Sequence, residues 1–109
     1  ELTEFEWSRK WPTAEVLKVP HHGSRTSSSE VLLESVKPEV GVISAGENNR
    51  FGLPHDSVLE RYLSKGIRIF QTSHDGAVIA RTSGRTWQFE TAATKLKVSV
   101  RPQRLRDRQ

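Results

Sequence analysis

Two histidines stand side by side in VPHHGSRTSSSE, residues 19–30, in a chain that has four histidines in all. Imidazole is the commonest metal ligand and titrates near neutral pH, so His21 and His22 are candidates for a ligand, a general base, or one of each. Neighbours in extended backbone face opposite sides, so one ring can do chemistry while the other packs. Gly23 permits close backbone approach. Ser24, Thr26, Ser27, Ser28 and Ser29 then offer hydroxyls ahead of a helix-like segment with free N–H groups. Together these outline a phosphate cradle.

A second polar loop, GENNRFGLPH over residues 46–55, repeats the logic. Asn48 and Asn49 are small polar groups, Arg50 can pair bidentately with a phosphate, and His55 opens a helix. The same residues also fit plainer duties. A histidine pair can cap or sit on a surface, the serine run can be a helix cap, and NNRFG can be a turn. His74-Asp75-Gly76 reads most simply as the bend before a strand. As a metal centre the set is short of ligands. Two-metal hydrolytic sites hold their ions ~3.5–4 Å apart, usually with carboxylates, and near the loops only Glu47 and Asp56 qualify.

The elements that must position these loops follow from periodicity. AEVLKV (14–19) is a short strand ending at Pro20. Ser27–Val36 is a helix, with Ser27 and Glu30 at capping-box spacing and Leu32, Leu33 and Val36 on one face. EVGVISA (39–45) suits a buried strand. Asp56–Lys65 is a second helix stopped by Gly66. IRIFQ (67–71) is a third strand. AVIART and TWQFET pair as a hairpin across Ser83-Gly84, and KLKVSV (95–100) adds an edge strand. The order β-α-β-α-β followed by β-β predicts the α/β class, with a mixed sheet and helices packed on it. Ligands of such sheets collect at the carboxyl ends of the strands, where both histidine loops fall.

Composition bounds the rest. The length of 109 residues fits one modest domain or a piece of a larger one. Cysteine is absent, which excludes disulfides and thiolate zinc sites. Hydrophobic content is 34% and mean hydropathy is −0.61, so the surface is polar or part of the chain is unpacked. No apolar run approaches the ~20 residues of a membrane span, and no signal peptide is visible. With Glu1 first and methionine nowhere, the chain reads as an excised fragment. Residues 1–84 carry ten Lys and Arg against eleven Asp and Glu, whereas residues 85–109 carry seven against two. The basic character belongs to the C-terminal part, which can attract nucleic acid or act only as a solvated terminus. The expected organisation is a lead-in over 1–13, a body over 14–90 and a basic, disordered tail over 91–109.

From about residue 14 to 82 the motifs KVPHHGS, SxGENNRFGxPH and TxxDG jointly resemble the C-terminal part of the metallo-β-lactamase-like domain of ComEC-type DNA internalization proteins. The resemblance implies half of an αββα sandwich. It implies a parent in the bacterial inner membrane that imports single-stranded DNA, with this domain on the periplasmic or extracellular side. There the domain would hydrolyse the strand that is not imported, using divalent Zn or Mn and no small organic cofactor. The implied partners are DNA, single-stranded or duplex at the uptake channel, and the rest of the parent protein. Soluble hydrolases share the domain, so a soluble parent stays open.

Carried onto this chain, His55 matches the family's last metal-ligand histidine. His21 and His22 match a pair that acts as ligand or transition-state stabiliser, with His22 taken as the ligand. Ser24, Asn48, Asn49 and Arg50 would line the phosphate side. The family's upstream HxDxDH motif and a later bridging aspartate have no counterpart, and Leu53 stands where many relatives have a histidine. The expectation is therefore a chain that binds metal weakly or not at all, is inactive alone, and exposes the sheet face its other half would cover. A non-catalytic DNA-binding or channel-gating module is the rival expectation.

Overall fold

A computed structural model describes residues 12–24, 27–46 and 52–103. The lead-in over 1–11 and the last part of the tail, 104–109, lie outside the described residues, as do Thr26, Glu47, Asn48, Asn49 and Arg50. The elements run β1 (Val16–Lys18), a 3-10 turn (Pro20–Gly23), α1 (Glu30–Val36), β2 (Val40–Ile43), α2 (Asp56–Ser64), β3 (Arg68–Gln71), a one-turn α3 (Thr72–Asp75), β4 (Val78–Thr82), β5 (Trp87–Thr91) and β6 (Lys97–Val100).

The α/β class is as the pattern predicts. β1, β2 and β3 form a parallel sheet in sequence order, and β4, β5 and β6 form an antiparallel one. A single mixed sheet was expected. The chain instead leaves β3 through α3, which carries it off the sheet before β4 begins, so the hairpin builds a second sheet.

Each helix is cut to length by identifiable residues. Ser29 caps α1, its Oγ accepting the Leu32 N–H at 3.2 Å. The expected cap, Ser27, is engaged elsewhere, so the helix starts at Glu30. Lys37 takes a left-handed conformation (φ 52°) and donates its N–H to the Leu33 carbonyl, and Pro38 then prevents further helix. α2 buries Val58 and Tyr62 completely. Gly41, in the middle of β2, makes room for it. A Cβ there would stand 2.9 Å from Ile69 Cδ1 and 3.2 Å from the Tyr62 ring.

Two apolar clusters sandwich the parallel sheet. On one face Val19, Ile43 and Ile67 meet Leu33 of α1 and Val58 and Tyr62 of α2. Both helices lie on this face because successive crossovers in one direction are right-handed. On the other face Val40 and Phe70 meet Phe89 of β5, flanked by Trp87, Val98 and Val100. The Phe70 and Phe89 rings stack with centroids 5.2 Å apart. The sheet face expected to be bare is therefore covered by the antiparallel sheet. The body also continues beyond residue 90. β6 pairs with β5, Pro102 is buried, and the Gln103 N–H reaches Glu39 Oε2 at 2.8 Å. Alternating Val98 and Val100 half-bury against Phe89 and hold the strand.

Candidate functional site

The two histidine loops meet at the carboxyl ends of β1 and β2. The His55 N–H donates to the Gly23 carbonyl at 2.9 Å. Gly23 sits at φ 81°, and a Cβ on it would come within 2.6 Å of Pro54 Cβ, so only glycine lets the loops close on each other. Residues 32 positions apart are thus fixed side by side by backbone contacts, independent of any ligand.

The HHG stretch is a helical turn rather than extended strand, so the two histidines do not alternate between faces as expected. His21 contributes its backbone to the turn, and its side chain lies outside the described residues. His22 is exposed and adopts φ 55°, a conformation uncommon without glycine. Its ring is held by one partner: Nδ1 meets the Ser44 carbonyl at the end of β2. A carbonyl can only accept, so Nδ1 donates to it, and Nε2 has no hydrogen-bond partner among the described residues. Lys18, Val19 and Pro20 line a shallow cleft with His22, of about 440 Å³. Lys18, the last residue of β1, is exposed and carries a positive charge beside that cleft. Its place directly before VPHH was the signal for it.

His55 is half-buried and is itself the N-cap of α2. Its Nδ1 receives the Ser57 N–H at 3.2 Å and lies 2.8 Å from Ser57 Oγ. Ser57 thus holds the ring at the start of α2 through both its backbone N–H and its hydroxyl.

The hydroxyl run is used by the fold. Ser27 Oγ donates to the Ser24 carbonyl at 2.8 Å, and the fully buried Ser28 Oγ shares a 2.8 Å hydrogen bond with Tyr62 Oη. Arg61 of α2 reaches back to the Ser28 carbonyl at 2.7 Å and the Ser27 carbonyl at 3.3 Å. Ser29 caps α1, and of the described hydroxyls in the expected cradle Ser24 and Ser29 are half-exposed while Ser27 and Ser28 are buried. The substrate-side expectations for Asn48, Asn49 and Arg50 lie outside the described residues.

The TxxDG motif is a brace. Thr72 Oγ1 accepts the Ala45 N–H at 3.1 Å and donates to the Ala45 carbonyl at 3.2 Å, pinning the residue next to Ser44. Asp75, 7% exposed, accepts the Gln71 N–H at 2.9 Å and the Thr94 hydroxyl at 3.0 Å. Thr94 shares a 2.6 Å bond with Thr91, whose Oγ1 takes the Leu96 N–H. This chain ties β3 to the turn between β5 and β6.

Among the described residues no group of three or more His, Asp, Glu or Cys is placed to hold a metal ion. No described helix is long and apolar enough to cross a membrane.

The chain is similar to one stretch of several much longer proteins. It is 40% identical over 76 residues to ComE operon protein 3 of Bacillus subtilis, covering 70% of this chain and 10% of that one. It is 40% identical over 81 residues to Recombination protein 2 of Haemophilus influenzae, covering 74% and 10%. It is 42% identical over 65 residues to Competence protein ComA of Neisseria gonorrhoeae, covering 60% and 9%. The chain thus spans about a tenth of the length of these relatives. No family model and no solved structure matches it.

Proposed function

Since the chain is a homologue of one segment of competence proteins, we propose that it serves a DNA-uptake protein of natural transformation, and that the face carrying His22 meets the phosphodiester backbone. The observation that carries this reading is the 40% identity to ComE operon protein 3 across 70% of the chain. The chemistry of the face agrees with it. Lys18 supplies a positive charge, and His22 and His55 supply imidazoles, on loops joined by Gly23–His55, His22–Ser44 and Thr72–Ala45 hydrogen bonds.

Within this proposal the parent protein is membrane-bound, and the finer reading is metal-dependent hydrolysis of phosphodiesters in the intact domain. On this chain His22 and His55 are the residues that would hold Zn or Mn, and no step through a metal is assigned to them. A bare imidazole Nε2 beside a phosphodiester can instead accept a proton from water, and Lys18 can neutralise phosphate charge. The test is transformation frequency in a competent strain whose parent protein carries His22→Ala, with protein level checked in parallel. The expected result is loss of transformants at unchanged protein level. Wild-type frequency would overturn the assignment.

A further inference from the structure

The antiparallel sheet has a face that the core does not use. The layers run from the helices through the parallel sheet to β4–β6, which turns Phe89, Val98 and Val100 inward. Strand alternation then turns Gln88, Glu90, Lys97 and Ser99 outward, joined on β4 by Ile79 and Arg81. Across the strands these form two rows, Ile79–Glu90–Lys97 and Arg81–Gln88–Ser99. The charge is one-sided. Residues 12–76 carry seven Lys and Arg against eight Asp and Glu, whereas residues 77–103 carry five against one, Glu90. Resting on the DNA reading above, we infer that the outer face of β4–β6 is a second contact surface for single-stranded DNA. It holds the phosphate backbone through Arg81, Lys97 and, in the β4–β5 turn, Arg85, without reading base sequence.

The pattern speaks against an apolar cover on this face. A sheet packed on both sides reads as continuous apolar runs. Here alternate residues of β5 and β6 are polar or charged. Ile79 is the large apolar side chain on the face, too little to seat it in a bilayer, so charge complementarity favours DNA over a lipid surface. Arg85 and Lys97 make no ion pair among the described residues. Arg81 meets Glu90 at 3.6 Å, in an exposed pair that a phosphate can displace at little cost. Gln88 and Ser99 add hydrogen-bonding groups beside the cations, and phosphate oxygens are commonly held by such side chains.

Fluorescence anisotropy of a labelled oligothymidylate with the full chain, repeated over a range of salt, reads the contact. Each cation–phosphate contact to a single strand contributes about −0.7 to the slope of log K against log salt. Arg81→Gln, Arg85→Gln and Lys97→Gln together should weaken binding and make that slope shallower by about 2, with Tm unchanged. Lys37→Gln with Lys65→Gln, at the ends of the helices on the opposite layer, should leave the slope as in wild type. A triple variant with the wild-type slope overturns the inference. So does a control pair that lowers the slope as much, or a wild-type chain that does not bind the oligothymidylate. Vesicles of phosphatidylserine and phosphatidylcholine test the lipid alternative. A triple variant that loses vesicle binding while keeping oligothymidylate binding makes this a membrane surface and overturns the DNA contact. The DNA reading itself stands or falls separately, with transformation in His22→Ala.

Discussion

Two stretches of the chain look alike as strings and behave differently as structures. HHG at 21–23 and HDG at 74–76 each place a titratable pair before a glycine. In the second, Asp75 is buried and both its oxygens are bonded, one to Gln71 and one to Thr94. In the first, His22 is exposed, makes one bond through Nδ1, and keeps Nε2 free of partners among the described residues. The difference teaches that polar residues near a strand end divide by what is left over after the fold has taken its share. A carboxylate with both oxygens bonded is a brace. An imidazole fixed at one nitrogen and open at the other is a tool.

Substitutions can break this division, and the brace should show the largest effects on stability. Asp75→Ala takes the carboxylate from the Gln71 amide and from the Thr94 hydroxyl, and should cost about 3 kcal/mol. Denaturant unfolding measures it, and a loss below about 1 kcal/mol would mean that Asp75 is not a brace. Ser28→Ala removes the buried hydroxyl that shares a 2.8 Å hydrogen bond with Tyr62 Oη. An expected loss of about 1.5 kcal/mol follows from that lost bond. His55→Ala should cost about 1 kcal/mol, the worth of an N-cap, and His55→Asn should restore most of it. His22→Ala, at the tool end, should change stability by less than about 0.5 kcal/mol. A large loss there would move His22 to the brace side. Smallest of all is Lys65→Ala. Lys65 lies 3.6 Å from Glu30 and 3.9 Å from Glu34, whose side chains are mostly exposed, and such surface pairs contribute about 0.5 kcal/mol or less.

Much of this was legible in the sequence because periodicity and punctuation are local. Leu32, Leu33 and Val36 announced one helix face, and Gly66 and Pro38 announced stops. The meeting of both histidine loops at strand ends followed from strand–helix alternation. What was not legible depended on distant partners. The capping box written by Ser27 and Glu30 gave way because Ser27 and Ser28 are drawn to Ser24, Tyr62 and Arg61, the last two lying more than 30 residues away. The separation of the strands into two sheets turned on α3, a single turn too short to leave a periodic trace. The ring partners of His22 and His55, the Ser44 carbonyl and Ser57, are set by how the loops fold, and no spacing encodes that.

The most direct test of the division is a residue-by-residue NMR map of the full chain titrated with a short single-stranded oligonucleotide. The account predicts concentration-dependent shifts at Lys18, His22, Ser24, Ser44 and His55, with His74, Asp75 and Thr94 unmoved. Shifts centred on His74, Asp75 and Thr94, with the His22 loop silent, would contradict it.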